Sequence, residues 1–123
     1  MIKKEIKLIA EAMLEKKAEN VLALDLRPIG TSISDYFVVC NAQSTSQVRA
    51  IADNIEEQLI VKLNKKPVRK QGTENGIWVI LDYGSEAVVH IFQTEYRNFY
   101  RLEDLWADAK KHVFKEIENG KEE

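Results

Sequence analysis

The chain has 123 residues, 45% of them hydrophobic and 31% charged, with a formal net charge of −2 and an isoelectric point near 5.8. That length is one domain with chain enough for one core, the composition is that of a soluble globular protein, and no apolar run approaches a membrane span. The charge balance argues against binding dominated by nucleic-acid phosphates, which calls for a basic domain or a dense basic face, and is better matched to a basic protein partner, because opposite charge steers encounter.

The N-terminal stretch MIKKEIKLIAEAMLEKK has no signal-peptide apolar block and is too acidic for an organelle transit peptide, so a cytoplasmic location is expected. Ile2, Ile6, Ile9 and Met13 recur at steps of four, three and four, which predicts a helix over 2–18. Val21–Leu26 is short and apolar without helical period, hence a strand, and Pro28 and Gly30 break the chain after it. Tyr36–Ala42 (YFVVCNA) is a second strand, apolar on both sides; its Cys40 is the chain's one cysteine and reads as a small buried hydrophobe in a reducing compartment.

Ser44 with Gln47 three residues on is a capping-box pattern, each side chain serving the other's exposed backbone N–H, and it opens a helix whose apolar stripe is Val48, Ile51, Ile55, Leu59 and Leu63. Pro67 ends any continuation, and Val68–Gln71 is a short charged strand at or near a sheet edge. Ile77–Tyr83 and Glu86–Phe92 flank Gly84-Ser85, which reads as a tight two-residue hairpin. Pairing Tyr83 with Glu86 puts Ile77, Val79, Leu81, Tyr83, Val88, His90 and Phe92 on one face, and Trp78, Ile80, Asp82, Ala87, Val89 and Ile91 on the other. Both faces are apolar, so these strands are expected to be covered on two sides. Glu95–Tyr100 makes a short helical turn. Leu102, Leu105, Trp106, Ala109, Val113 and Ile117 then predict a last helix over 102–118.

The fold class is therefore α/β in the mixed α+β sense: a single five-stranded mixed sheet flanked by helices, one domain over 1–118 with a charged, frayed tail over 119–123. Three helices leave part of such a sheet for a partner or a second copy to cover.

Candidate chemistry is thin. Asp25, Asp35 and Asp82 lie in or beside strands, where carboxylates can hold a divalent metal for nucleotidyl transfer. None of them has an acidic neighbour two residues away, and no glycine-rich phosphate cradle precedes the Ser44 helix. Their other reading is structural: Asp25 and Asp82 accepting hydrogen bonds from loops, Asp35 capping a turn. His90 is a lone strand histidine and His112 a distant helical one, so no zinc site is expected, and Cys40 has no evident base partner. No cofactor fingerprint is present. Lys62, Lys65, Lys66, Arg69 and Lys70 form a basic cluster that reads either as a solvated edge or as a minor contact for RNA phosphates. The richest segment is Trp78–Trp106, which holds Trp78, Tyr83, Phe92, Tyr96, Phe99, Tyr100 and Trp106 with Arg97 and Arg101. Tryptophan, tyrosine and arginine are the residues most enriched at interface hot spots.

Four blocks, LEKKAENVLALDLR, SDYFVVCNAQSTSQVRAIADNI, GIWVILDYGSEAVVHIF and RNFYRLEDLW, resemble the Iojap-related ribosomal silencing factor family along nearly the whole chain. The resemblance implies a nucleotidyltransferase-like fold without that fold's catalytic signature. It also implies a protein that binds the large ribosomal subunit through ribosomal protein fourteen, keeps the small subunit from joining, represses translation when nutrients are scarce, and is a homodimer when free. Under that mechanism the residues expected to touch the partner are Trp78, Tyr83, His90, Arg97, Tyr100, Leu102, Glu103 and Trp106. Tyr100 and Trp106 would be anchors, with Arg97 and Glu103 pairing at the rim.

Overall fold

The computed structural model of the chain describes residues 3–29, 34–100 and 109–114, the side chains of 29 and 98–100 excepted. Within them run α1 (Lys4–Glu15), β1 (Glu19–Asp25), a 3-10 turn (Arg27–Ile29), β2 (Tyr36–Ala42), α2 (Thr45–Leu63), β3 (Arg69–Gln71), β4 (Trp78–Asp82), β5 (Ala87–Gln93), α3 (Thr94–Tyr100) and β6 (Lys110–Val113). The strands form one sheet in the order β3-β4-β5-β2-β1-β6. β2 and β5 are parallel, joined through α2 and the β3–β4 pair, and the other neighbours are antiparallel. The mixed sheet flanked by helices is as the sequence predicts, with six described strands in place of five.

The sixth strand corrects the predicted C-terminal helix. Residues 110–113 are extended and pair with β1, Leu22 facing Val113 and Asp25 facing Lys110. The outer edge of β1 offers a ladder of backbone donors and acceptors, and filling it outweighs a helical period carried by few residues. Residues 102–108 and 115–118 of that predicted helix lie outside the described residues, as does the tail.

Alternation along the strands builds two cores. Tyr36, Val38 and Cys40 of β2 join Val79 and Leu81 of β4 and Val89 and Ile91 of β5 under α1 and α2. From α1 this side receives Ile6, Ile9 and Met13, and from α2 Val48, Ile51, Ile55 and Leu59, all with no accessible surface. Each such side chain contributes about 1.5–3 kcal/mol on burial. Leu24, Leu26, Phe37, Val39, Val88 and Phe92 form the second cluster on the opposite side.

The helix ends follow from capping. Lys17 adopts φ 64, and Lys17 and Ala18 donate their backbone N–H groups to Leu14 and Met13 at 2.9 and 3.1 Å, a left-handed termination of α1. Ser44 Oγ accepts from Gln47 N–H at 3.1 Å, as predicted. The reciprocal half of the capping box is absent. Gln47 Nε2 instead donates to the Lys16 and Lys17 carbonyls at 3.1 and 3.2 Å, tying α2 to the orphan carbonyls at the end of α1.

The hairpin register is one residue off the predicted one. Tyr83 N–H donates to Ala87 O at 2.9 Å, and Trp78, Ile80 and Asp82 face Phe92, His90 and Val88. The loop is thus three residues, Gly84-Ser85-Glu86, with Gly84 at φ +86 and its N–H on Asp82 Oδ1 at 2.8 Å. A one-residue slip turns every β5 side chain to the other face. Trp78, Ile80, Val88, His90 and Phe92 therefore share one side, and Val79, Leu81, Tyr83, Ala87, Val89 and Ile91 the other.

The turn after β3 depends on Gly72. Its φ is +79, and a Cβ there would sit 2.0 Å from the Trp78 carbonyl oxygen. Gly84 is also left-handed, but a Cβ there meets nothing within 4 Å. Gly84→Ala is expected to cost only the left-handed penalty of about 1 kcal/mol, and Gly72→Ala about 2 kcal/mol or more, because a backbone oxygen must also move. Urea midpoints of the two variants check this order; equal midpoints would refute it.

The basic cluster is partly spent. Lys65 Nζ bridges Glu5 Oε1 at 2.9 Å and Glu86, and Lys70 pairs with Glu56 at 3.3 Å. Burial pushes the Glu5 carboxyl up, while hydrogen bonding with Glu5 and then Lys65 holds Glu86 down at about 2. One lysine thus clasps α1, the end of α2 and the β4–β5 hairpin.

Candidate partner-binding face

The corrected register assembles an aromatic group on the side of the sheet away from α1 and α2. Trp78 on β4 stacks on Phe92 of β5, ring centroids 4.9 Å apart at 27°. Its indole Nε1–H donates to His90 Nδ1 at 3.1 Å. Phe37 of β2 tilts against His90 at 4.6 Å. Phe92 and His90 are buried and Phe37 nearly so, whereas Trp78, Ile80 and Leu22 remain half-buried. This is an apolar surface with a tryptophan held in place by a stack and a hydrogen bond, the kind of rigid anchor on which binding energy concentrates.

His90 supports that tryptophan and does not act as an acid or base at neutral pH. Burial lowers its pKa to about 4, so the ring is neutral. Because Nδ1 accepts from Trp78, the proton sits on Nε2, which is buried without a partner among the described residues. A histidine whose folded pKa is depressed contributes stability above its unfolded value of 6.5 and loses it as pH falls toward about 4. Stability is therefore expected to decline over that window in the native chain, and less in His90→Gln. Denaturant titrations across the window check this, and identical pH profiles for the two proteins would contradict it.

The remaining expected contacts scatter. Tyr83 is buried on the opposite side, packed under the helices, with its hydroxyl lacking a hydrogen-bond partner among the described residues and pushed up in pKa by burial. One partner surface over Trp78 does not reach it. Arg97 is 7% exposed and so is not a rim charge. Its Nη1 donates to the Asn20 carbonyl at 2.7 Å and to Asn41 Oδ1 at 2.8 Å. Asn41 Nδ2 in turn donates to Thr94 Oγ1 at 2.9 Å, and these groups line a cavity of about 400 Å³. Tyr100 ends α3 with its side chain outside the described residues, and Leu102, Glu103 and Trp106 lie outside them altogether. Sequence reasoning put Ile80 on the face of Trp78 but named neither Ile80 nor Phe37 as a partner contact. With both sides of these strands apolar, alternation alone does not mark which side is open.

The carboxylates are occupied individually. Asp25 accepts from Arg27 Nε at 2.9 Å and Nη2 at 2.7 Å, and those hydrogen bonds lower its pKa. Asp82 accepts from the Gly84 N–H at 2.8 Å, and Asp35 pairs with Lys3 at 3.3 Å. Among the described residues no group of three or more His, Cys, Asp or Glu is placed to hold a metal ion. Cys40 is fully buried and its thiol is pushed up to about 12, which leaves it unreactive. No helix among the described residues is long and apolar enough to cross a membrane.

Comparison with known proteins gives this geometry a context. A family model described as "Ribosomal silencing factor during starvation" matches residues 1–123. The ribosomal silencing factor RsfS of Bacillus subtilis is 41% identical over 85% of this chain and 86% of its own length. The chloroplastic protein Iojap of Zea mays is 31% identical over 82% of this chain, which spans 42% of that longer protein. A crystal structure of a Chromobacterium violaceum protein superposes with a TM-score of 0.78 at 30% identity, covering 98% of both chains.

Proposed function

This chain belongs to the family of ribosomal silencing factors, and on that footing we propose that it binds the large ribosomal subunit through ribosomal protein fourteen and blocks the small subunit from joining, repressing translation under nutrient limitation. The observation that carries the reading is the family match over residues 1–123. It is supported by a sheet face whose half-buried Trp78 is fixed by Phe92 and His90.

The mechanism is occlusion, with no bond made or broken. A modest interface suffices if it overlaps the surface the small subunit needs. Trp78 is the anchor, Ile80 stands beside it on the same side of β4, and His90 holds the indole from behind. Tyr100, Leu102, Glu103 and Trp106 extend the interface. Tyr83 and Arg97 serve the fold that presents it. The protein acts in the cytoplasm as one domain over 1–118, is a homodimer when free, and carries no catalytic role for Asp25, Asp35 or Asp82.

Co-sedimentation with purified subunits tests the reading. The protein is expected to travel with large subunits and not with small ones. Recovery in neither pellet, or equally in both, would defeat it.

A further inference from the structure

One edge strand of the sheet is basic. β6 is hydrogen-bonded to β1 and, among the described residues, to no strand on its other side, and all four of its residues are exposed. The side chains of Lys110, Lys111 and His112 make no hydrogen bond or salt bridge among the described residues, in contrast to Lys65 and Lys70 near the opposite edge. Lys110 and His112 stand beside Asp25 and Ala23 of β1, and next to them Arg27 lies over the Tyr36 ring, 5.1 Å from its centroid. These residues line an open groove of about 270 Å³. Its one carboxylate, Asp25, is already engaged by two nitrogens of Arg27. That engagement orients the guanidinium; Lys110, facing Asp25, adds a weaker attraction to the same carboxylate, and Lys111, facing Leu24, turns its side chain to the other side of the strand.

We infer that this sheet edge, with Lys110 and Arg27 in the groove and Lys111 on the other side of the same strand, binds the phosphate backbone of RNA, giving the protein a second foothold on its ribosomal target. The inference rests on the proposed large-subunit binding. A chain with net charge −2 that gathers cations along one sheet edge is arranged for a polyanion met at one place, not for RNA binding over its whole surface. Lysines on an edge strand also discourage strand-to-strand pairing. That role needs neither a groove nor an arginine steered by Asp25 and stacked on Tyr36, and it predicts no salt-dependent affinity for RNA.

The test compares the full chain with K110E/K111E and with a control, K66E/R69E, at the other sheet edge. Binding to a short ribosomal RNA duplex and to purified large subunits is measured against salt. Every lysine–phosphate pairing that a substitution removes lowers the slope of log affinity against log salt by roughly 0.7–0.9. K110E/K111E is expected to lower it by roughly 1.5 on both targets, and the control to leave it unchanged. K110Q/K111Q should do the same with less disturbance should the charge reversal unfold the edge. An unchanged slope in both β6 variants would overturn the inference, as would a lowered slope in the control alone. Weakened subunit binding with RNA binding intact would also overturn it, because the partner would then be an acidic protein surface. If the native chain binds no subunit at all, the proposed function fails; if it binds with a slope indifferent to β6, only this groove does.

Discussion

Trp78→Ala is expected to weaken binding to the large subunit about 30-fold or more while the chain stays folded. Hot-spot aromatics contribute at least about 2 kcal/mol, which is that factor in affinity. Trp78 qualifies because its indole is half-exposed yet immobile, stacked on Phe92 at 4.9 Å and hydrogen-bonded to His90 at 3.1 Å. Little rotamer freedom is left to lose on docking. Truncation also removes packing within the fold, so stability falls by about 2 kcal/mol, a part of the 5–15 kcal/mol usual for a domain. Val48→Ala supplies the control: Val48 is fully buried on the inner face of α2, on the other side of the sheet, and its truncation costs about 2 kcal/mol as well. Affinity measured by co-sedimentation should drop for Trp78→Ala and hold for Val48→Ala. Equal affinity in both would remove Trp78 from the interface; equal loss in both would make the effect one of stability.

Arg97→Met is expected to destabilise the fold by about 2–3 kcal/mol. The reason lies in β1. Glu19 faces Asn41 and Leu22 faces Val39, so β1 carries one extra residue between those pairs, with Asn20 at φ 53. A bulge leaves backbone groups without ladder partners. The Asn20 carbonyl is claimed by Arg97 Nη1 at 2.7 Å, and the same nitrogen holds Asn41 Oδ1 at 2.8 Å. Methionine fills similar volume but strands the Asn20 carbonyl, at about 1–3 kcal/mol, and leaves Asn41 Oδ1 with the Asn20 Nδ2–H at 3.2 Å as its donor. Arg97→Lys should recover only part of the loss, since an ammonium lacks the planar fork of the guanidinium. Urea unfolding measures this, and a cost for Arg97→Met below about 1 kcal/mol would show that the bulge does not depend on the arginine.

Much of the architecture was legible where one residue type forces one geometry. The second strand was read to the residue, Tyr36–Ala42, because an apolar run with β-branched and aromatic members has few alternatives. Ser44 marked the start of α2 and accepts from Gln47 N–H because an N-cap is a local device. The failures are non-local. Gly84-Ser85 reads as a two-residue turn, yet Asp82 reaches Gly84 N–H and admits Glu86 to the loop. With both faces apolar, nothing in the strand pattern resists that slip, and it brought His90 to the side that Trp78 occupies. Lys110–Val113 lies within a helical stripe, but the open edge of β1 recruits it. Arg97 looked like a rim charge because sequence cannot show the β1 bulge that its guanidinium plugs. Family resemblance reached the function where site chemistry could not, since a docking face has no catalytic spacing to recognise.

Occlusion of subunit joining is the central claim, and light scattering of purified small and large subunits mixed with and without the protein addresses it most directly. The expected trace shows joining suppressed when large subunits are incubated first with the native chain, and restored when Trp78→Ala takes its place. Joining at full rate and amplitude, with the native chain demonstrably bound to the large subunits, would contradict the account.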